Sequence, residues 1–183
     1  MPEYAGRLGP VGRVAILVSR YNELVTSRLL EGARHCCRDA RIADRHIDVL
    51  WVSGAFELPV LAEEAARSGQ YACLVALGAV VRGDTPHFEF VAGETTRGLG
   101  AVARTHVLPV GFGLLTVDTM EQALERAGGS AGNKGYEAAE AAKDSTISVR
   151  QLKALLDARD SGETDFLLVD VREPGEYEIV SIP

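Results

Sequence analysis

Residues 72–87, ACLVALGAVVRGDTPH, run from an unbroken apolar segment into a polar, glycine-containing one and end at a proline–histidine pair. An apolar run bounded by turn residues predicts a strand buried on both faces, here Ala72–Leu77, and a parallel sheet covered by helices provides that burial. The following residues, Gly78–His87, read as the loop at the carboxyl end of this strand. Phe88 to about Ala103 reads as the next helix, interrupted by Gly93 and Gly98. Glycine disfavours helix interiors, so close helix packing is the expected reason for both.

The same alternation recurs on either side. Val14–Val18 and Val49–Val52 are short apolar runs before the quoted stretch, and about Val110–Thr116 is another after it. Between the first two, Leu29, Leu30, Ala33, Cys36, Cys37 and Ala40 fall at helical spacing, which predicts a helix over about 27–40 with Thr26 or Ser27 as its N-cap. Leu58, Leu61, Ala62, Ala65 and Ala66 share one face of a second helix that Gly69 can end. Asp118 leads into a helix over 119–127, the turn Gly128–Gly132 follows, and a further helix starts near Asn133. Strands alternating with helices in this way predict a doubly wound, three-layer α/β/α domain on a four-stranded parallel sheet, ending near residue 144.

With 183 residues, the chain has room for one ordinary domain and a short appendage. A content of 46% apolar and 25% charged residues belongs to a globular protein with a real core. The balance of 19 basic to 26 acidic groups, net −7, argues against nucleic acid as a partner. A small phosphorylated ligand stays compatible with that acidity, because it needs only one or two placed cations and some backbone N–H groups. The three cysteines, Cys36, Cys37 and Cys73, form no disulfide framework, and a bridge between adjacent residues would be strained, so they are expected as reduced, mostly buried thiols. The opening residues hold no signal-like apolar run, and the longest apolar stretches fall far short of the roughly 20 residues that span a bilayer. A cytoplasmic protein with no membrane partner is the expectation.

Residues 145–183 differ in character. They carry 4 basic and 8 acidic groups against 15 and 18 in residues 1–144. Ser148–Ala158 reads as a short helix, Asp157–Asp165 as a loop, Phe166–Val169 as a strand and Pro174–Glu178 as the start of another helix. Such a set is too small to bury a core of its own.

In open parallel sheets, ligands bind beyond the carboxyl ends of the strands. Three loops are therefore expected side by side: Ser19–Glu23, Ser53–Glu57 and Gly78–His87. His87 is the histidine that follows a predicted strand end, and an imidazole suits proton shuttling near neutral pH; a surface or helix-capping role is the alternative. His35, His46 and His106 show no zinc-ligand spacing, and no metal site is expected. Gly78 and Gly83 have the look of a phosphate loop but lack its lysine, which disfavours ATP hydrolysis. What remains is a glycine turn at a helix start, where backbone N–H groups and Thr85 can hold a small phosphate, or simply a tight turn. Arg126 and Lys134 flank the second glycine-rich turn and read either as ligand-binding cations or as charges complementing helix ends.

Four segments together carry a family resemblance: RYNE at 20–23, SGAFELP at 53–59, LGAVVRGDTPHFEFV at 77–91 and EQALERAGGSAGNKG at 121–135. In order and spacing, over residues 11–143, they resemble the lumazine synthases, flavodoxin-like enzymes of riboflavin biosynthesis. The resemblance implies condensation of 5-amino-6-ribitylaminouracil with 3,4-dihydroxy-2-butanone 4-phosphate to 6,7-dimethyl-8-ribityllumazine, phosphate and water, with no metal or organic cofactor. It implies that Tyr21, where the family commonly has Phe, stacks on the pyrimidine beside Asn22. Ala55, Phe56 and Glu57 would bind the ribityl chain, and the backbone of Val80 and Val81 the heterocycle. Gly83, Asp84 and Thr85 would contact phosphate together with Arg126, and His87 would be the catalytic acid–base group. Phe112, Arg126 and Lys134 would come from a neighbouring subunit, making the site a property of an oligomer. A Schiff base on Lys134 is disfavoured, because the substrate brings its own amine.

The family assembles as pentamers, some of which build 60-subunit icosahedral shells. Gly128–Gly135 resembles the turn of the shell formers, but Ser130 stands where a lysine is more usual, leaving pentamer and shell both open. Two other readings are a lumazine- or flavin-binding shell or storage protein with little turnover, against which His87, Arg126 and Lys134 together speak, and the related archaeal type of riboflavin synthase, against which the butanone phosphate pocket implied by the resemblance, Arg82–Thr85 with Arg126, favours a lumazine synthase. Residues 147–160 and 166–183, with Asp170, Arg172, Glu173, Pro174 and Tyr177, resemble the opening of a rhodanese-like domain. No cysteine follows Cys73, so sulfur transfer is not expected, and a truncated fusion, an assembly artefact or an exposed appendage are the readings of this tail.

Overall fold

Four apolar runs become the strands β1 (Val14–Ser19), β2 (Ile47–Val52), β3 (Cys73–Val81) and β4 (Val110–Val117) in the computed structural model, which describes residues 11–161. All pairings are parallel and the order is β2-β1-β3-β4. Five helices connect and follow them: α1 (Glu23–Asp39), α2 (Leu58–Arg67), α3 (His87–His106), α4 (Met120–Arg126) and α5 (Lys134–Asp160). The three-layer α/β/α arrangement on a four-stranded parallel sheet is the one the alternation predicts.

Strand side chains alternate between two faces, and the core divides accordingly. Val14, Ile16, Val18, Cys73, Val75 and Leu77 pack with residues of α1, α4 and α5. Ala15, Leu17, Leu74 and Ala76 face the other way, toward Leu58 and Ala62 of α2 and Leu99 and Val102 of α3. Fully burying a leucine or valine is worth about 1.5–3 kcal/mol, so the central strands anchor both layers.

Several boundaries differ from the sequence reading. β3 continues through Gly78–Val81 instead of opening into a loop at Gly78, because β4 keeps pairing with it as far as Val81↔Val117. Gly78 is thus a strand residue and not part of a phosphate turn: a Cβ there would lie 2.7 Å from Leu114 Cδ1. α1 begins at Glu23, so Thr26 is a buried helix residue; the cap position is Asn22, in the left-handed region at φ 61°. Gly98 does mark close helix packing, since a Cβ would meet Pro59 of α2 at 2.6 Å. Gly93 does not; the nearest group outside its local backbone is Arg97, on the same helix.

Thr119 caps α4 by accepting from Gln122 N–H at 3.3 Å. The glycine-rich turn is a small antiparallel hairpin, β5 (Ala127–Gly129) with β6 (Gly132–Asn133). Asn133 then opens α5: its Oδ1 accepts from Gly135 N–H at 2.9 Å and Tyr136 N–H at 3.3 Å.

The helix expected over 148–158 belongs to α5, which runs past residue 144. Thr146 still donates to Ala142 O at 2.8 Å. The chain divides between Arg150 and Gln151 into two units. In the second, Lys153 Nζ lies 3.4 Å from Asp157 along the helix. The strand expected at 166–169 and the helix at 174–178 lie outside the described residues.

All three cysteines are buried and none is in a disulfide. Burial is the main influence on Cys37 and pushes its thiol up to about 11. The folded state then holds a proton that the unfolded chain releases near pH 9. The associated stability is complete below pH 9 and falls as pH rises toward about 11. A thiol reagent at pH 8 should leave the folded protein unlabelled over minutes and titrate three thiols in denaturant, as absorbance of the released chromophore will show. Gly135→Ala tests the seat of α5, since its Cβ would lie 2.0 Å from Leu29 O in α1. Helix separation should destabilise the fold by about 1–3 kcal/mol, seen as a melting point several degrees lower by circular dichroism.

Candidate active site

The loops after β1 and β2 lie side by side because the strand ladder continues into them: Arg20 N–H donates to Val52 O at 2.9 Å and Tyr21 N–H to Ser53 O at 3.0 Å. Asn22 turns the chain into α1, and its Nδ2 donates to Ala79 O in β3 at 2.9 Å. Tyr21 is left projecting from the loop, 73% exposed.

After β2, residues Ala55–Glu57 form a 3₁₀ turn. Glu57 Oε2 accepts from Gly54 N–H at 2.7 Å, so one carboxylate oxygen shapes the turn. Thr95 of α3 holds the other side of this loop through its hydroxyl, 3.1 Å from Ala55 O and 2.7 Å from Val91 O.

These loops and the first turns of α3 enclose a cavity of about 690 Å³, open to one side, in the size range of small-molecule sites. Tyr21, Ala55, Phe56, Glu57, Val80, Val81, Gly83, Thr85 and His87 line it, which brings together nine of the fourteen residues singled out from sequence. Among the described residues, the His87 ring makes no hydrogen bond to protein. Asn22 is not in the lining; its amide is committed to Ala79, so it shapes the site instead of facing it. Asp84 is exposed on the turn and also outside the lining.

Phe112, Arg126 and Lys134 are not at this cavity. They line a second, smaller groove of about 240 Å³ along β4, at the edge of the sheet. Arg126 Nη1 donates to Gln122 O at 3.1 Å, and Lys134 Nζ to Glu137 at 2.6 Å.

Sequence reasoning placed Ser53, Gly54 and Ala79 in the candidate loops without a role and missed Phe88, Phe90 and Val91 in the first cavity. The aromatic pair Phe88 and Phe90 directly after His87 was the available signal, and Phe90 is 69% exposed. Arg82 begins the polar turn yet is absent from the lining. Its Nε donates to Asp118 at 2.9 Å, its Nη1 bonds Glu89, and its guanidinium lies 4.1 Å from the Phe88 ring centroid. Hydrogen bonding to Arg82 is the main influence holding the Glu89 carboxyl below its ordinary range.

A parallel α/β sheet whose strand ends open onto an apolar, aromatic-rimmed cavity lined by an imidazole, a carboxylate and a helix N-terminus has the make-up of a small-molecule site. A family model described as 6,7-dimethyl-8-ribityllumazine synthase matches residues 12–149, and the chain belongs to that family. It is an enzyme of riboflavin biosynthesis, a transferase with lumazine synthase activity. Family membership brings small-molecule substrates and oligomeric assembly in general. No helix among the described residues is long and apolar enough to cross a membrane.

The Asn22 tie is open to a direct test by urea denaturation. Asn22→Gly keeps the left-handed backbone accessible but leaves Ala79 O without its donor, and should cost about 1 kcal/mol. Asn22→Val adds the strain of a β-branched residue at positive φ and should cost about 1–3 kcal/mol more.

Proposed function

We propose that the 690 Å³ cavity is one half of the lumazine-forming site and the groove along β4 the other, joined when two copies of the chain meet. The observation that carries this reading is the separation itself. His87, Glu57 and Thr85 line one cavity, whereas Phe112, Arg126 and Lys134 line another on the same chain. A site needing both sets is completed by a neighbour, and a cyclic homo-oligomer supplies that contact at every subunit. A pentamer is the assembly we infer, with the 60-subunit shell as its larger form, in the cytoplasm. Residues 1–144 constitute the synthase domain in this proposal, and residues 145–183 an appendage with a rhodanese-like beginning.

In the proposed site, Tyr21 stacks on the pyrimidine of 5-amino-6-ribitylaminouracil, with Val80 and Val81 against the heterocycle and Asn22 holding the loop. Ala55, Phe56 and Glu57 receive the ribityl chain, the free carboxylate oxygen accepting from its hydroxyls. Gly83, Asp84 and Thr85 at the start of α3 hold the phosphate of the dihydroxybutanone, and Arg126 of the neighbour adds a fork of charged donors. The substrate amine attacks the ketone and forms an imine with loss of water. Phosphate leaves, and ring closure releases water again. His87 moves the protons, and the two half-sites supply the orientation that makes attack intramolecular in effect. Lys134 is bonded to Glu137 and acts as a cation of the pocket, not as a nucleophile. A storage protein that binds without turnover would need none of this proton traffic.

Lumazine formation can be followed by absorbance and fluorescence in His87→Ala and Arg126→Ala proteins, separately and after dissociation and mixed reassembly. Each alone should lose about 10²–10³-fold in rate. A random equimolar mixture should recover up to about a quarter of wild-type turnover, because that share of interfaces pairs two intact halves. Absence of recovery in reassembled mixtures would overturn the shared site, and full activity of His87→Ala would overturn the acid–base role.

A further inference from the structure

Between Arg82 and His87 the chain makes a turn whose own side chains do nothing to fix it: among the described residues, Asp84 and Thr85 make no side-chain hydrogen bonds. The turn nevertheless carries Gly83, Thr85 and His87 into the cavity. It is braced at its base. Arg82 N–H extends the sheet by donating to Val117 O at 2.8 Å. Its guanidinium then reaches past the turn to the first residues of α3, bonding Glu89 and covering the face of Phe88 at 4.1 Å. The same group donates from Nε to Asp118 Oδ1 at 2.9 Å, at the carboxyl end of β4.

The contacts do not stop at Asp118. Its N–H donates to Gln122 Oε1 at 3.0 Å, and Gln122 O accepts from Arg126 Nη1 at 3.1 Å. A continuous series of hydrogen bonds therefore runs from the base of the turn in one cavity to the arginine in the groove along β4.

We propose that Arg82 is a positioning residue for the phosphate-bearing substrate, one guanidinium setting both the Gly83–Thr85 turn and, through Asp118 and Gln122, the Arg126 side chain. This rests on the phosphate assignment made above for the turn and for Arg126. Arg82 does not touch the substrate. Two of its nitrogens are occupied by carboxylates and its face by an aromatic ring, and it is outside the cavity lining. Stability does not account for the arrangement, because Arg82, Glu89 and Asp118 have side chains 45%, 53% and 67% exposed. Exposed ion pairs contribute little to folding, whereas a planar fork between two carboxylates fixes direction. In an assembly with shared sites, the turn and Arg126 of one chain serve different sites, so the loss of Arg82 impairs two neighbours at once.

Steady-state kinetics with each substrate varied in turn separates this role from a general structural one. Arg82→Gln should raise KM for the butanone phosphate about tenfold while KM for the aminouracil stays within about twofold, as expected when positioned charge-assisted contacts to one substrate are lost. Its melting temperature should stay within about 2 °C of wild type. Arg82→Lys, with charge but no fork, should fall between the two proteins. Asp118→Asn should raise the same KM, and the double variant should be no worse than Arg82→Gln. Equal rises in both KM values, unchanged KM in Arg82→Gln, or additive effects in the double variant would overturn the role. If Arg82→Gln does not fold, Asp118→Asn decides: an unchanged KM for the butanone phosphate overturns it. His87→Ala distinguishes the two levels. Lost turnover there beside an unchanged KM in Arg82→Gln removes only the Arg82 role, whereas retained turnover in His87→Ala removes the site assignment and this inference with it.

Discussion

β3 pairs with β1 as far as Leu77 but with β4 as far as Val81, and this difference in length makes the site. Its last four residues keep their ladder on one side only. On the other side their edge faces the loop after β1, where Asn22 supplies a side-chain amide to Ala79 O in place of a strand. Val80 and Val81 are then backed by β4 yet open toward Tyr21 and the 3₁₀ turn, and the cavity occupies the space where further β1–β3 pairing would have been. The left-handed conformation of Asn22 follows from the same constraint, since the chain must leave the sheet and enter α1 within a few residues.

A second consequence follows from β4 being an edge strand. Among the described residues its outer side has no neighbour in the sheet, and Phe112, Arg126 and Lys134 gather along it in a groove of their own. Phe112 is 47% exposed there, a large apolar surface for a subunit standing alone. The two concavities thus sit on opposite terms with the sheet: one opens at the strand ends, the other runs along its free edge. Arg82, held by Glu89 and Asp118, spans the ground between them.

Much of this was legible from residue order. The apolar runs located all four strands, Gly69 marked a helix end, and the loops after the first three strands contained most of the cavity lining. The misreadings have physical causes. Gly78 looked like the start of a turn, but its missing side chain makes room for Leu114, a neighbour thirty-six residues away in sequence. Thr26 looked like a cap because caps are usually hydroxyl or amide side chains bonding to the helix, whereas here Asn22 caps by backbone conformation and spends its amide on another strand. Arg82 gave no local sign of its partners, since Glu89 lies beyond the turn and Asp118 on a different strand end.

Residue order and type were enough to set the alternation of strands and helices, the apolar faces that bury them and the imidazole, carboxylate and cationic groups on hand, because these depend on periodicity and composition. How far β3 extends and which direction Asn22 and Arg82 point came from the folded chain alone, and the division of the candidate residues between two concavities was implied beforehand only by the family resemblance. Those outcomes depend on contacts between residues distant in the chain. Pairing at a strand edge, space left by a missing Cβ and the reach of one guanidinium across a turn exist only once the layers have packed.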